Sequence, residues 1–457
     1  MKQQMDLSIE KIERFNLKIP RYTSYPTVPN WGTQDFNHTD YLQCLHEIAE
    51  KEEPISIYIH IPFCSRRCLF CGCNTIITSR QERSVRYLNY LKKEIDTVGN
   101  IIRHNRQVIQ LHLGGGTPTH LLPQQLDDLF SYIEERFNFL PDAERSIEIH
   151  PSVTTREHLD VLANHHFNRL SIGVQDFDRE VQTNLNRHQT YEETAEVINY
   201  ARILDFDSIN VDLIYGLPYQ TMETMHDTIN KIFELRPDRI ALYSYAHFPQ
   251  FFRHHQGIPL KMIPQGSDKL QLFLHARSRL LDHQYEQVGF DHFALPTDSL
   301  WRSYQNKTLR RNFMGYTTKA GTDLIAFGWS GISELSNCYA QHAKDMEEYE
   351  ELVDQYGVAT IKGYRMNEED RIRKQLIMDI LCQNEVNIEK LETQTGKSLD
   401  LLYEIADQKM PALQDAGFVK PSTTGWQLTT EGQIFARVVA ASFDAFYSTD
   451  HIFSNSV

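Results

Sequence analysis

Four cysteines fall within ten residues of one another, in the segment CSRRCLFCGC at residues 64–73. Thiolates at such short spacing are typical ligands of iron–sulfur clusters and of zinc. Zinc sites usually combine two C-x2-C pairs, and no second pair follows in this chain. An iron–sulfur cluster is therefore favoured, with a four-cysteine zinc site as the alternative. The candidate ligands are Cys64, Cys68, Cys71 and Cys73.

A run of three glycines ends the second predicted strand and is followed by Thr117 and Pro118. Residues without side chains allow backbone groups to approach a ligand closely, although glycines after a strand often form only a turn. Because the run follows the cysteine segment in the chain, it is a candidate part of the same site. Its members are Gly114, Gly115 and Gly116.

Strand and helix patterns alternate from about residue 55 to residue 250, as expected of parallel βα units. In the first strand, ISIYIHIPF, isoleucines occupy one face and polar residues the other. Six such units predict an α/β fold, a partial (βα)6 TIM-like barrel with ligands at the C-terminal strand ends. The other strand candidates are VIQLHL, RSIEIHP, NRLSIGVQDF, SINVDLIYGLP and RIALYSYAHFP.

The chain's 457 residues predict more than one domain. We expect an N-terminal segment at 1–50 that covers the site, a barrel with cover elements at 51–365, and a smaller domain at 366–457. The last of these is predicted to be mostly helical and winged-helix-like, because helical runs precede a hairpin and a capped helix in AGFVKPSTTGWQLTTEGQIFARVVAASF.

Composition narrows the class of protein. A formal net charge of −15 argues against nucleic acid as the main partner, because phosphate binding depends on accumulated Lys and Arg. No run approaches eighteen apolar residues, and the N-terminal residues carry charges where a signal peptide needs an apolar stretch. A cytoplasmic protein without a membrane span is expected, and clustered cysteines in a reducing compartment indicate metal rather than disulfides.

The C-x3-C-x2-C spacing after an opening strand, with Phe70 just before the third cysteine, resembles the radical S-adenosylmethionine superfamily. The resemblance implies that Cys64, Cys68 and Cys71 bind three irons of a [4Fe-4S] cluster and that Cys73 is not a ligand. The fourth iron would bind S-adenosylmethionine, and one electron from the cluster would cleave the sulfonium to a 5'-deoxyadenosyl radical. The glycine run would lie against the amino group of that cofactor.

Further segments extend the likeness over almost the whole chain, to the family of oxygen-independent coproporphyrinogen III dehydrogenases. They occur in the order and spacing of that family. The CGC ending resembles these enzymes more than the related heme chaperones. The segments are PRYTSYPT, YIHIPFCSRRCLFCGCN, LGGGTPT, SIGVQDF, VDLIYGLP, DHFA and RNFMGYTT.

The family uses two S-adenosylmethionine molecules, and the resemblance assigns residues to each. Around the molecule on the cluster it implies Tyr58, Gly115, Glu148 and Ile332. Around the second it implies Phe70, Gly116, Thr117, Gln175, Arg187, Asp212 and Ala246. Tyr58, Glu148, Gln175, Arg187 and Asp212 are the candidate catalytic residues. Without the resemblance, each also fits a structural role such as a turn cap or a surface ion pair.

The implied reaction is the anaerobic oxidative decarboxylation of coproporphyrinogen III, in which two propionates become vinyl groups. The substrate carries four carboxylates, so an acidic protein needs a focused basic pocket, with Arg21, Arg310 and Arg311 as candidates. The segment RYTSYPT is expected to fold over the site as a lid. The resemblance also favours a monomer, and a flavodoxin-type protein as the reductant.

Two residues depart from the family pattern. His150 stands where aspartate is usual and Met314 where glutamine is usual, which bears on the substrate more than on the radical chemistry. Three alternatives follow: a related radical enzyme acting on another tetrapyrrole such as heme, a heme-binding chaperone without turnover, and a DNA-binding regulator built on the C-terminal region. The acidic balance disfavours the last.

Overall fold

The computed structural model describes residues 9–102, 106–319, 322–448 and 453–456. The expected N-terminal segment therefore lies in part outside the described residues. It contains helices α1 (Ile9–Phe15) and α2 (His38–Ala49), and α2 begins with a capping box between Asn37 and Asp40. Between the helices the chain buries aromatic side chains: Trp31 is fully buried and stacks on Tyr339, with ring centroids 5.0 Å apart.

Six parallel strands, each followed by helix, form the barrel part of the chain, as the alternating pattern predicted. Threonine hydroxyls cap several of these helices; Thr190, for example, accepts from the backbone N–H of Glu193. The elements are β1 (Ile55–Ile61), β2 (Phe63–Cys64), β3 (Ile76–Ile77), α3 (Gln81–Ile102), β4 (Val108–Gly115), α4 (Pro123–Glu134), β5 (Phe139–Ile149), α5 (Arg156–Asn164), β6 (Arg169–Gln175), α6 (Arg179–Asn184), α7 (Tyr191–Ile203), β7 (Ser208–Tyr215), α8 (Met222–Leu235), β8 (Arg239–Ser244) and α9 (Gly266–Asp282).

Both faces of β1 are mostly buried. The four isoleucines face the helices as predicted, but Ser56 and His60 on the opposite face are buried as well, and Tyr58 is half-buried. Parallel strands lie between two covered faces, so a polar side chain on the inner face of a barrel is enclosed by its neighbours rather than solvated. The polar residues of β1 therefore point into the barrel.

The segment expected to cover one end of the barrel instead extends its sheet at both edges. The strand order is β16-β15-β14-β13-β1-β4-β5-β6-β7-β8-β10-β9, a mixed sheet of twelve strands. β13 pairs parallel with β1, and β10 pairs antiparallel with β8. The elements are β9 (Glu286–Val288), β10 (His292–Ala294), α10 (Ser299–Gln305), β11 (Arg310–Asn312), β12 (Gly315–Thr317), β13 (Asp323–Phe327), β14 (Ile332–Glu334), β15 (Cys338–His342), α11 (Met346–Tyr356) and β16 (Thr360–Arg365).

The C-terminal part is mostly helical, as predicted, with a small three-stranded sheet. The predicted hairpin and capped helix are present, since β18 pairs with β19 and Thr429 accepts from the backbone N–H of Gly432. The winged-helix comparison and the domain boundaries stay predictions. The elements are α12 (Glu368–Gln383), β17 (Glu385–Val386), α13 (Ile388–Thr395), α14 (Asp400–Asp415), β18 (Val419–Ser422), β19 (Gly425–Leu428), α15 (Thr430–Ile434) and α16 (Ala436–Ala441).

One hydrophobic core joins these parts. It runs from isoleucines of β1 through β10 to α12 and α16, so the C-terminal helices share apolar neighbours with the barrel. Within the described ranges, no helix combines the length and the apolar character that crossing a membrane requires.

Candidate functional site

A cavity of about 950 Å³ opens at the C-terminal ends of the parallel strands. This is where a barrel of this kind places its ligands. Most of the residues singled out from the sequence lie on its wall. They are Cys64, Cys68, Phe70, Cys71, Gly115, Gly116, Thr117, Glu148, Gln175, Arg187, Asp212 and Ala246.

The cysteine segment is a closed loop. β2 and β3 pair in parallel, with Phe63 opposite Ile76 and Cys64 opposite Ile77, so the chain between them returns to its starting point. Two cavity residues hold its thiols: Thr117 Oγ1 lies 3.4 Å from Cys64 Sγ, and Arg187 Nη1 lies 3.6 Å from Cys68 Sγ. The local pairing thus presents the thiols of the loop to one space.

The thiols are suited to a bound cation. Burial raises the pKa of Cys64 to about 11 and also raises the pKa of Cys68, whereas a hydrogen bond from Cys73 lowers the pKa of Cys71 to about 7. Buried thiols become thiolates when metal binds, because the metal supplies the missing positive charge. In the described residues, no group of three or more His, Cys, Asp or Glu closes around a single ion. Sulfurs that each bind a different iron of a cluster lie farther apart than those around one zinc ion.

The glycine run lets the end of β4 pack against the cysteine loop. A Cβ on Gly116 would lie 2.7 Å from the carbonyl oxygen of Phe63. Gly115 has φ +114°, and a Cβ there would lie 2.6 Å from the ring of His60. The glycines are thus required by contacts within the protein, a reason that differs from the predicted approach of a ligand.

Glu148 is held as a carboxylate at the end of β5. Burial acts to raise the pKa of Glu148, but His112 and the Gly115 N–H together hold it below its usual value. Gly115 N–H donates to Glu148 Oε2 at 3.1 Å, and His112 Nε2 lies 3.6 Å from Oε1. The side chain is 45% exposed, and it lines the cavity. Its charge is therefore available to a cation in the cavity.

Asp212, on β7, has the opposite character. Burial, together with the nearby charge of Glu148, raises the pKa of Asp212 to about 7, although hydrogen bonds from Asn210 and Ser171 oppose the shift. Asn210 Nδ2 donates to one carboxylate oxygen at 2.8 Å, and Ser171 Oγ donates to the other at 3.3 Å. Two carboxylates in one cavity thus differ in protonation near neutral pH, as residues of active sites often do.

Arg187 and Gln175 carry polar atoms that no protein group satisfies. Among the described residues, Arg187 Nε and Gln175 Oε1 are buried without a hydrogen-bond partner, as is His120 Nε2. All three side chains line the cavity. Gln175 also has φ +71°, a backbone conformation that residues other than glycine rarely adopt and that is concentrated at functional sites. Unsatisfied buried groups facing a cavity fit a polar ligand.

Two predicted cofactor residues lie off the cavity wall. Tyr58 lies behind it, where its hydroxyl is 3.1 Å from His60 Nδ1 and its ring is 6.0 Å from that of His112. Ile332 packs with the aromatic cluster around Trp31. Both were expected to touch the cofactor bound to the cluster; neither lies on the cavity wall, and their roles toward the cofactor stay predictions.

The arginines expected to form a basic pocket mostly lie away from the cavity. Of the three arginines, only Arg21 lies on the cavity wall. Arg311 is buried behind it, 4.7 Å from the centre of the Tyr316 ring, and Arg310 donates to the backbone oxygen of Leu309. Neighbouring residues of a strand point to opposite faces, so the pair could not both face one cavity. The prediction for Arg310 and Arg311 as cavity residues was wrong.

The two departures from the family pattern have different positions. His150 lines the cavity, and Ser152 N–H donates to its Nδ1 at 3.3 Å. Burial, with the charge of Arg187, lowers the pKa of His150 to about 3, so the ring is neutral. Met314 lies in the turn between β11 and β12 and is not on the cavity wall. Only His150 can therefore contact a ligand there.

The expected lid is largely part of the core. Tyr22 and Tyr25 are almost fully buried, and the Tyr22 hydroxyl donates to Asp444 Oδ2 at 3.0 Å. Arg21 alone reaches the cavity, where its Nη2 donates to Ser244 O at 2.9 Å. The segment thus closes the site as a packed wall.

Several cavity residues were missed in the sequence. Tyr243 and Ser171 lie on the inner faces of their strands, so strand alternation could have identified them. Asn186 precedes Arg187 in the same turn. No sequence signal points to His255, which reaches the cavity from the irregular segment after β8.

Comparisons with known proteins agree with this geometry. A family model for the radical SAM superfamily matches residues 58–232, and one for the HemN C-terminal domain matches residues 366–435. An oxygen-independent coproporphyrinogen III oxidase from Salmonella typhimurium is 38% identical over 444 residues, covering 97% of this chain and 96% of the relative. One from Helicobacter pylori is 38% identical over 443 residues, covering 96% and 97%.

A solved structure resembles the whole chain. The coproporphyrinogen III oxidase from Escherichia coli, described as a radical SAM enzyme, has a TM-score of 0.91 and 37% identity. The match covers 97% of this chain and 100% of that one. Both parts of the chain, the barrel and the C-terminal helices, are therefore common to the two proteins.

Proposed function

Because this chain belongs to the family of oxygen-independent coproporphyrinogen III oxidases, we propose that it converts coproporphyrinogen III to protoporphyrinogen IX without oxygen. Each of two propionates loses a hydrogen atom, a carbon dioxide molecule and one electron, and becomes a vinyl group. The observation that carries the proposal is a single cavity lined by four thiols, three of them the proposed cluster ligands, together with a carboxylate held ionised and a carboxyl of raised pKa.

We propose Cys64, Cys68 and Cys71 as the ligands of the [4Fe-4S] cluster and not Cys73. The first three line the cavity within one closed loop, and buried thiols at this spacing are suited to binding the irons of a cluster. Cys73 also lines the cavity, but its backbone N–H donates to Cys71 Sγ at 3.4 Å. In that position its thiol and its backbone N–H both hydrogen-bond to Cys71 and support that ligand.

When bound, the cluster and S-adenosylmethionine supply one-electron cleavage of a carbon–sulfur bond and abstraction of a hydrogen atom. The chain's own residues bind the cofactor and the substrate and orient them. Glu148, kept ionised, is suited to an ammonium group, and Arg187 has a donor left over for a carboxylate. The Oε1 atom of Gln175 is a free acceptor for a hydroxyl or amino group.

We assign two cofactor sites, as the family resemblance implies. The first lies near Gly115 and Glu148, beside the cluster loop. The second lies near Arg187, Gln175 and Asp212, across the strands β6 and β7. Tyr58 and Ile332 belong to the first site by the resemblance, although neither lies on the cavity wall. The remaining residues of the second site are Phe70, Gly116, Thr117 and Ala246.

The oligomeric state, the location in the cell and the partners of the protein are proposals as well. We infer a monomer in the cytoplasm, reduced by a flavodoxin-type protein and without a nucleic-acid partner. The acidic net charge of −15 supports the last point, since nucleic acid favours basic proteins.

Anaerobic reconstitution tests the assignment. The reduced protein, given coproporphyrinogen III and S-adenosylmethionine, should yield the divinyl product by mass spectrometry and 5'-deoxyadenosine in step with it. Cys68→Ala should lose the visible absorption of the cluster and all turnover. Cys382→Ala, which alters a buried cysteine of α12 away from the cavity, should keep both.

The same assay separates the alternatives. Formation of 5'-deoxyadenosine with heme but not with coproporphyrinogen III would indicate a related enzyme for another tetrapyrrole. Stoichiometric heme binding without substrate-dependent 5'-deoxyadenosine would indicate a chaperone. Either result would contradict the proposed function.

A further inference from the structure

A group of cations gathers beside the cavity at the end of β8, on the side away from the cysteine loop in the strand order. Its members come from three distant parts of the chain: Arg21 from the N-terminal segment, Lys269 from α9 and Arg437 from α16. Each is mostly or fully enclosed by protein. Such a convergence of like charges is costly unless an anion accompanies it.

The geometry fixes these side chains at the cavity. Arg21 Nη2 donates to Ser244 O at 2.9 Å, and Lys269 Nζ donates to the next backbone oxygen, that of Tyr245, at 2.8 Å. Ser244 and Tyr245 both line the cavity. Arg437 Nη1 donates to Ile19 O at 3.1 Å, two residues before Arg21. The cations are thus held by backbone oxygens rather than by carboxylates.

One buried carboxylate, that of Asp291, lies near this group: burial acts to raise its pKa, but His292, Arg311 and Arg21 together lower it to about 2. Arg311 also acts on Arg437, so the cations still outnumber this carboxylate. In the part of the chain that the structure describes, no Asp or Glu oxygen lies within 4.0 Å of the side-chain nitrogens of Arg21 or Lys269. The nearby carboxylate of Asp291 lies 2.7 Å from His292 Nδ1. Burial, together with the charges of Arg21 and Arg437, lowers the pKa of Lys269 to about 7. The side chain of Lys269 therefore sits in a positive potential that an entering anion would relieve.

Arg21 is the member of the group that a ligand can touch. It lines the cavity, and its guanidinium lies 5.6 Å from the centre of the Tyr243 ring, which lines the cavity too. One of its terminal nitrogens is bonded to Ser244 O, and a guanidinium has further N–H donors that suit a carboxylate in bidentate geometry. Arg21 is therefore the contact, and Lys269 and Arg437 supply the potential around it.

We propose that Arg21, in the positive potential of Lys269 and Arg437, binds a carboxylate of the tetrapyrrole other than the one that reacts. This inference rests on the proposed function, since it names the part of that substrate which the β8 side of the cavity receives. The cluster loop follows β1, and β8 lies five strand positions further along the sheet. At about 4.8 Å between strands, this is a path of about 24 Å along the curved sheet, so a single ligand that reaches both ends must be large, as a tetrapyrrole with four carboxylates is.

Binding of a stable analogue tests the inference without turnover. Coproporphyrin III, the oxidised and fluorescent form with the same four carboxylates, is titrated into the wild-type chain and the Arg21→Gln variant. We expect about a tenfold loss of affinity for Arg21→Gln, the amount that one charge-assisted hydrogen-bonded pair contributes. Arg21→Lys should recover part of the loss, because it keeps the charge. Lys269→Met keeps the apolar stem beside Gly216 and should cost about threefold through the lost potential.

Two controls make the result specific. Arg310→Gln removes an arginine that lies off the cavity wall and should bind as the wild type does. Coproporphyrin tetramethyl ester, which lacks carboxylates, should bind weakly and equally to the wild type and to Arg21→Gln. Thermal unfolding and the absorption of the reconstituted cluster verify that each variant is folded. If Arg21→Gln does not fold, Arg21→Lys and Lys269→Met still test the inference, since each should lower the affinity for coproporphyrin III and leave that for the ester unchanged.

Three results would overturn the inference: equal affinity of Arg21→Gln and wild type for coproporphyrin III, an equal loss for the ester, or wild-type affinity that is the same for acid and ester. Its failure is distinct from that of the proposed function. Turnover of coproporphyrinogen III with an unchanged KM in Arg21→Gln would refute the carboxylate site alone. A wild type that binds as expected but forms no divinyl product would refute the proposed function alone.

Discussion

Replacement of Asp212 by asparagine should stabilise the chain in alkaline solution and have little effect in acid. Burial and the charge of Glu148 raise the pKa of Asp212 to about 7, so the folded chain prefers the protonated carboxyl. The stability that this proton gives is complete below the usual carboxyl pKa and is lost as the pH rises through about 7. Asparagine resembles the protonated form at every pH and does not suffer this loss.

The magnitude follows from linkage. Between about pH 5.5 and the folded pKa near 7, each pH unit costs the wild type about 1.4 kcal/mol, or about 2 kcal/mol in all. The carboxyl lines an open cavity, where water reduces such effects, so we expect about 1 to 2 kcal/mol. Asparagine at this position can still accept from Asn210 Nδ2 and donate to Ser171 Oγ, so the local contacts are retained.

Urea denaturation, followed by tryptophan fluorescence on the chain without cluster, measures the effect at about pH 5.5 and about pH 8.5. The quantity of interest is the free energy of unfolding of Asp212→Asn minus that of the wild type at each pH. Asp207→Asn, at an exposed residue just before the same strand, is the matched control and should show no change with pH. A difference for Asp212→Asn that is the same at both pH values would refute the reasoning.

Other predictions follow from the cysteine loop, the glycine run and the N-terminal segment. Cys73→Ser should keep the iron content and spectrum of the reconstituted wild type, because the backbone N–H and the serine hydroxyl can both still donate to Cys71, and a loss of iron would make Cys73 a ligand. Gly115→Ala should lower the free energy of unfolding by about 2 kcal/mol through its positive φ and its clash with His60, whereas Gly32→Ala, with open space around it, should not. Deletion of residues 1–27 should abolish turnover and lower the unfolding temperature, since the segment contains core tyrosines as well as Arg21; unchanged turnover would contradict both roles.

The barrel strands could be predicted from the sequence because each is a short apolar run followed by helix, and several of these helices begin with a capping Thr or Asp. The edge strands could not. β9 and β10 each contain three residues, and β14 contains three as well, too few for any alternation to be visible. β10 is placed by pairing with β8, from which α9 separates it in the chain, and β14 continues from β13, which pairs with the distant β1; local patterns do not encode such pairings.

The site residues show the same division. Cys64, Gly115 and Glu148 were predicted and lie together, because strand ends of a parallel barrel meet at one edge. Ile332 and Arg310 lie off the cavity wall, because their contacts are set by β14 and β11, whose packing the sequence did not reveal. Resemblance to a family indicates which position in the chain a residue occupies, but it does not indicate the direction in which its side chain points.

The two ends of the chain meet at the cavity. Ile19 N–H donates to Ser454 O at 3.0 Å, and Arg437, near the C-terminus, donates to Ile19 O. The cysteine loop, by contrast, is closed by β2 and β3, which are neighbours in the sequence. During synthesis the loop can therefore form long before Arg21 is fixed in place, because contacts between distant residues form late.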